Sequence, residues 1–259
     1  MIARTAPGWF DPLCYEVRCE LMKAARNLGF LLPTVLSPLA FYALFVLGMG
    51  MAKGNQAAAM LVTYCIFCAM APGLFGVGTS VALERAMGWG ALRRVSPLRP
   101  AAFLAAKLSV ALMYCAVSAG LLAGFAVLTA GVRMAPQAWL MLAVVIALAG
   151  FFFAALGMLL GLVAEQGQLA ALSNLLFLPM AFLGGLWFPI QTLHPMLQHV
   201  GAVLPTYHLG QLALMAAGQV VPEQLGLHIG AVLAWTAVLL VLAWRALRNR
   251  AWYRTGGQA

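Results

Sequence analysis

Few residues in this chain have the type and spacing to do chemistry. Cys65-x-x-Cys68 has the spacing of a thiol redox pair. A quinone-linked membrane thiol oxidoreductase would need such a pair together with a relay pair at the outer face. Cys14 and Cys19 read as lying on the inner side and Cys115 within a span, so the relay has no second pair. Cysteines spaced i,i+3 in an apolar run also serve as small hydrophobes, which is the simpler reading. His194, His199 and His208 crowd one late segment, with Glu223 behind them. A zinc site there would need a helical His-x-x-x-His pair, or a nearby carboxylate to orient the imidazoles, and the spacing offers neither. Ser37, Ser80, Ser109, Ser118 and Ser173 stand in no Gly-x-Ser-x-Gly elbow. No Gly-x-x-x-x-Gly-Lys-Ser/Thr loop is present to cradle a phosphate. The chain is therefore read as a non-enzyme with no catalytic residue, metal or cofactor of its own, and any nucleotide that drives it is bound by another chain.

Composition decides what must position these residues. The 259 residues are 64% hydrophobic and 8% charged, with a mean hydropathy of +0.95. Soluble domains run about 45–50% apolar and about 25% charged, and no soluble fold of this length hides so much apolar surface. The chain is an integral membrane protein. Fifteen Lys and Arg against six Asp and Glu leave a net charge of +9. The basic residues fall at the edges of long apolar runs, where they orient the chain and meet anionic headgroups, so membrane lipid is the implied partner and nucleic acid is excluded. Ionisable groups are almost absent at membrane depth, which weighs against ion-coupled carriers. Arg4, Asp11, Glu16, Arg18, Glu20, Lys23 and Arg26 precede any long apolar stretch, unlike a cleaved signal.

A span needs about 20 apolar residues. The intervals free of charge place six spans near 28–50, 57–83, 102–130, 137–163, 169–188 and 226–246. With the N-terminus inside, Arg4, Arg18, Lys23, Arg26, Arg85, Arg93, Arg94, Arg99, Lys107, Arg245, Arg248, Arg250 and Arg254 collect on the inner face, and Lys53 and Arg133 on the outer. A seventh span would carry the arginine tail outside, against the positive-inside tendency. Residues 190–222, interrupted by Pro195, Pro205 and Pro222, are therefore expected to dip into the outer leaflet as a re-entrant segment. Residues 12–28 place Leu13, Val17, Leu21, Ala24 and Leu28 on one helical face and five charges on the rest, the pattern of an amphipathic interfacial helix. The expected fold is an all-α membrane protein, a single transmembrane domain over 1–259 with six transmembrane helices and both termini cytoplasmic.

Residues 84–100 form the cytoplasmic loop between spans two and three. The stretch Leu83-Glu84-Arg85-Ala86-Met87-Gly88-Trp89-Gly90-Ala91-Leu92-Arg93-Arg94-Val95-Ser96-Pro97-Leu98 reads as a short basic helix anchored by Trp89, Leu92 and Val95 and stopped at Pro97. After span five come Gly184-Gly185-Leu186-Trp187-Phe188-Pro189, then His194-Pro195-Met196-Leu197, then Leu204-Pro205-Thr206-Tyr207. In this order, within six spans, these segments resemble the membrane subunits of type-2 ABC exporters, the ABC-2 permeases. That family's loop is commonly written Glu-Arg-Glu-x-Gly-Thr and ends Ser/Thr-Pro-Leu, and its fifth span ends Ser-Gly-x-x-Phe-Pro. Ala86, Trp89 and Gly184 depart from the usual acid, Thr and Ser.

The resemblance implies a homodimer docked on two copies of a separate ABC ATPase, which holds the ATP and magnesium, with spans two and five lining a central path. It implies export of an amphipathic, drug-like (multidrug) or lipid-linked solute across the inner membrane. Glu84, Arg85, Trp89, Leu92 and Arg93 are the expected coupling residues, with Glu165 and Gln166 in the loop between spans four and five as a second contact. Phe41, Phe45, Tyr64, Phe67, Met180 and Trp187 are candidates for the solute path, because aromatics and Met at these depths suit apolar ligands. A membrane scaffold that transports nothing is the other alternative.

The partition of basic charge predicts the topology. On a cysteine-free background, a cysteine introduced as Gln258→Cys should react with an impermeant thiol reagent only in opened cells, and cysteines within 190–222 in intact ones. Labelling of position 258 from outside would overturn the six-span count.

Overall fold

The computed structural model describes residues 10–50, 55–89 and 100–248. The described residues are almost entirely helical, without a strand. Helix α1 (Phe10–Arg26) leads into α2 (Leu28–Tyr42), which continues as a π-helical turn, Ala43–Gly48. Helix α3 (Asn55–Ala71), a second π turn (Pro72–Val77) and α4 (Gly78–Ala86) form one long rod. Then follow α5 (Pro100–Ala130), α6 (Pro136–Val163), α7 (Gln166–Leu183), a 3-10 turn (Ile190–Thr192), α8 (Pro195–Val203), α9 (Pro205–Ala216) and α10 (Leu225–Arg248).

Six of these stretches are long and apolar enough to cross a membrane: Leu28–Gly48, Asn55–Ala86, Ala102–Ala130, Pro136–Val163, Gln166–Leu183 and Leu225–Leu247. They coincide with the six expected spans to within a few residues at most ends. The fifth is the exception at its C-terminal side, ending at Leu183 where the sequence suggested 188. There Gly184 and Gly185 close the helix, and Gly185 takes a left-handed conformation at φ +73° that a side chain would disfavour. Helices α8 and α9 have 9 and 12 residues, too short for either alone to cross a bilayer core.

Span two is the central pillar. Its most apolar stretch is 83% buried by the rest of the chain, whereas no other span exceeds 50%. Pro72 cannot donate to the carbonyl four residues back and its ring presses on it, so the rod widens into a π turn instead of continuing as α-helix. This turn meets α6 backbone to backbone. A Cβ on Gly157 would land on the Gly73 carbonyl oxygen, and one on Gly161 would lie 2.9 Å from Val81 Cβ. Glycine on both helices allows a crossing that any side chain would push apart.

The segment after span five folds back on itself by the same device. A Cβ on Gly184 would strike the Thr206 side chain, and one on Gly201 the carbonyl of Leu183. Helices α8 and α9 are thereby seated on the end of α7.

These contacts predict a graded response to one added methyl. Gly157→Ala should cost about 1–3 kcal/mol through overpacking. Gly120→Ala, where a Cβ has open space, should be neutral or gain about 0.5–1 kcal/mol of helix propensity. Thermal unfolding of the detergent-solubilised variants checks the difference, and equal effects would refute the crossing.

Candidate functional site: a buried charge junction and an aromatic path

Lys107 lies on α5 within span three and is only 2% exposed. A buried ammonium must have all three protons taken and its charge balanced. Its Nζ donates to Glu20 Oε2 at 2.7 Å, to Glu84 Oε1 at 2.5 Å and to Ser80 Oγ at 2.6 Å. Glu20 comes from α1. Ser80 and Glu84 come from α4, four residues apart and so on one helical face. Lys23, one turn beyond Glu20 on α1, donates to Glu20 Oε1 at 2.6 Å and stands 3.9 Å from Glu84. Among the described residues, two carboxylates and two ammonium groups thus meet in a junction among α1, α4 and α5.

Burial alone would raise the Glu20 carboxyl, but Lys107 and Lys23 outweigh it and hold the group below the ordinary carboxylate value. Burial would likewise lower Lys23, yet its contact with Glu20 raises it. Lys23 also sits over the Trp89 ring, 5.1 Å from its centroid.

Arg85 extends the junction to the next helix pair. Its guanidinium donates to the carbonyls of Leu162 and Ala164 at the C-terminus of α6. Those carbonyls have no intrahelical partner and carry the negative end of the helix dipole, so a cation is the fitting cap. The contact fixes span two against the loop that carries Glu165 and Gln166, both of which are exposed.

Of the seven expected coupling residues, Glu84, Arg85, Trp89, Glu165 and Gln166 thus lie on elements joined at one end of the bundle. Leu92 and Arg93, with most of the 84–100 loop, lie outside the described residues. Glu84 is turned inward, 3% exposed, and Arg85 is half-buried, so both are engaged within the chain. Trp89, half-buried, and the exposed Glu165 and Gln166 have surface to offer a partner. The roles of Glu20, Lys23 and Lys107 were not apparent from spacing. Their signal was the lone lysine next to a long apolar run, which demands carboxylates that tertiary contact alone could supply. A cavity of about 430 Å³ opens beside the junction, bordered by Glu20, Lys107, Asn27, Phe30, Tyr114 and Gln166.

The candidate path residues gather toward the opposite end. Phe41 stacks on Trp187 with centroids 5.6 Å apart and lies 6.3 Å from Phe45. Phe67 meets Trp187 edge-on at 5.6 Å, and Tyr64 meets Phe67 at 6.1 Å. Met180 packs in the same core. The six are not equivalent. Tyr64, Phe67 and Met180 are buried, whereas Phe41, Phe45 and Trp187 reach the surface. Above them a cavity of about 520 Å³ is lined by Trp187, Phe188, Gln56, Gln191, Gln211 and Gln219, among others, and none of its lining residues among the described ones is charged.

Cys65, Cys68 and Cys115 are buried in the core as packing residues, whereas Cys14 is exposed. Among the described residues no group of three or more His, Cys, Asp or Glu is placed to hold a metal. His194 caps α8 through Nδ1, and His208 pairs with His228, a contact the sequence did not suggest.

Residues 40–245 match a protein family described as "ABC-2 family transporter protein". The chain belongs to the ABC-2 transporter family. It is 29% identical over 194 residues to YvfS of Bacillus subtilis (strain 168), which is named as a transport permease; the match covers 74% of this chain and 79% of that one. It is 35% identical over 108 residues to "Nodulation protein J" of Neorhizobium galegae, covering 41% of each, and 35% identical over 109 residues to that of Rhizobium meliloti (strain 1021). As an ABC-2 family member with six membrane-crossing helices, the chain is a multi-pass transport permease subunit, and the family implies pairing with an ABC ATPase.

The junction predicts its own sensitivities. Lys107→Met leaves two carboxylates facing each other in a buried site and should cost about 3–5 kcal/mol. Adding Glu20→Gln and Glu84→Gln should recover much of that loss. Because the folded Glu20 carboxyl is held below its unfolded value of 4.5, its stabilisation is present above that value and is lost as pH falls through the lowered one. Thermal unfolding of wild type and of Glu20→Gln across the acid range checks this. An equally steep acid loss in both would remove Glu20 from the account.

Proposed function

We propose that this chain is the permease subunit of an ATP-driven exporter in the inner membrane, with both termini in the cytoplasm. It works as a homodimer on two copies of a separate ABC ATPase and moves an amphipathic, drug-like or lipid-linked solute outward. The observation that carries the reading is the buried junction of Glu20, Lys107 and Glu84, extended by Arg85 to the loop at Glu165. It ties α1 and the inner ends of spans two, three and four into one piece directly beside the loop at Trp89.

A push on that loop or on Glu165 and Gln166 moves the whole piece, because breaking any of its ion pairs would strand a buried charge. Span two then carries the displacement along the bundle, since it is the helix against which the others pack. Its π turn at Pro72–Val77 is the natural place for the rod to flex. The far end of span two carries Tyr64 and Phe67 under the aromatic path, so a small tilt alters the spacing of Phe41, Phe67 and Trp187. ATP hydrolysis supplies the work and takes place on the partner. This chain's residues receive motion, transmit it and shape the path. The amide-rich cavity over Trp187 suits a cargo whose emerging part is polar, while the rings beneath suit its apolar part.

In a reconstituted complex, Trp89→Ala should weaken association with the ATPase by about 2 kcal/mol, as loss of an interface anchor does. Arg93→Ala should matter less and chiefly shift the salt dependence. A Glu84→Ala/Arg85→Ala variant should leave the ATPase bound and reduce transport-coupled ATP hydrolysis. Pull-down and turnover for each variant check the set, and wild-type assembly and turnover for both Trp89→Ala and the double variant would show that the coupling element lies elsewhere.

A further inference from the structure

The two imidazoles of His208 and His228 face each other with their Nδ1 atoms 2.8 Å apart. His208 is in the first turns of α9 and His228 in the first turn of α10; both are buried, and the Tyr207 ring lies 5.5 and 5.8 Å from them. At this separation one nitrogen must carry the proton and the other must accept it. A metal does not fit. Zinc held at about 2.0–2.1 Å in a tetrahedral site would set the two nitrogens roughly 3.3 Å apart and would need further ligands, and no third metal-binding group stands near in the described residues.

Among the described residues of the elements packed around it, nothing else competes for the pair. Helices α6 and α7 carry no ionisable residue. Helix α3 offers only Tyr64, Cys65 and Cys68, α8 only His199, and α9 adds only Tyr207. On α10 the other charges are Arg245 and Arg248, at least about 25 Å along the helix. Glu223 lies in the exposed turn before α10. The influences on His208 are burial and then His228, both of which hold its imidazole below the ordinary range.

The pair also sits at a mechanically useful place. Helix α9 closes one wall of the cavity over Trp187 through Gly210, Gln211 and Leu214. It rests on the end of span five through Thr206 against Gly184 and Gly210 against Leu186. The imidazole pair is the side-chain hydrogen bond that ties this wall to span six.

We propose that His208 and His228 form an acid-sensitive latch on the outer cavity. Neutral or singly protonated, the pair still sets one N–H against one lone pair. With a second proton, two N–H groups and two positive charges face each other in a buried site, α9 parts from α10, and the cavity wall opens. Acid outside the cell thus favours the open outer end. The placement of the latch rests on the orientation proposed above, whereas its chemistry does not.

The test uses the full-length protein in detergent, where orientation plays no part. The chain has four histidines, so nitrogen-15 labelling of histidine resolves each by NMR. The His208–His228 pair should take up its protons in two steps, the second well below the ordinary imidazole value of about 6.5. Over the same range, exchange of the α9 amides, corrected against the free peptide, should quicken about tenfold or more between about pH 7.5 and about pH 5. A His208→Gln/His228→Gln variant should lose that acceleration. Independent ordinary titrations of the wild-type pair, with α9 protection unchanged, would overturn the proposal, and this holds even where the variant fails to fold. The same acceleration in a folded variant would overturn it too. In vesicles acidified on one side, a response to acid on the face of the C-terminal tail would refute the outer placement and the proposed orientation, separately from the latch itself.

Discussion

An ammonium group buried in an apolar bundle must be neutralised where it stands, and the end of this protein that holds Lys107 is organised around that requirement. Lys107 has no carboxylate within its own helix, so α5 can be stable in place only when α1 and α4 bring Glu20 and Glu84 to it. The result is a junction with little freedom. Partial opening leaves a charge without water and without a partner, which costs more than moving the assembly as a unit. Rigidity at this point is what a mechanically driven subunit requires of the end that receives a push.

The central crossing imposes the second constraint. Span two and α6 meet through glycine on both sides, and a contact between backbones has no flexible side chain to absorb displacement. Motion of span two is thus shared with α6, whose C-terminus Arg85 also caps. The π turn lies at this crossing and is the one interruption in the rod. Coupling through the bundle therefore depends on packed backbone and buried charge, while the aromatic rings of the path respond to where those elements stand.

The opposite end is built from weaker materials. Two short proline-started helices rest on the end of span five through Gly201 and Gly184, and the second is tied to span six by a pair of imidazoles. No ion pair among the described residues holds them. The export proposed above needs this asymmetry, since the end that receives work must not yield and the end that releases cargo must.

Composition and periodicity alone determined that the chain is an all-helical membrane protein with six spans, because the length of an apolar run and the cost of charge in a bilayer are local properties that each segment carries by itself. The loop after Leu83 and the Gly-Pro-rich end of span five were equally legible, since they rest on contiguous residues, and the ABC-2 family assignment agrees with them. Glu84 was recognisable as important but not as buried. Which carboxylates neutralise Lys107, which glycines let two backbones touch, and that His208 meets His228 rather than grouping with His194 and His199 were decided only by tertiary structure. Each depends on side chains 20 to 90 residues apart arriving at one point. Periodicity records which face a residue occupies on its own helix and holds no information about which other helix that face will meet.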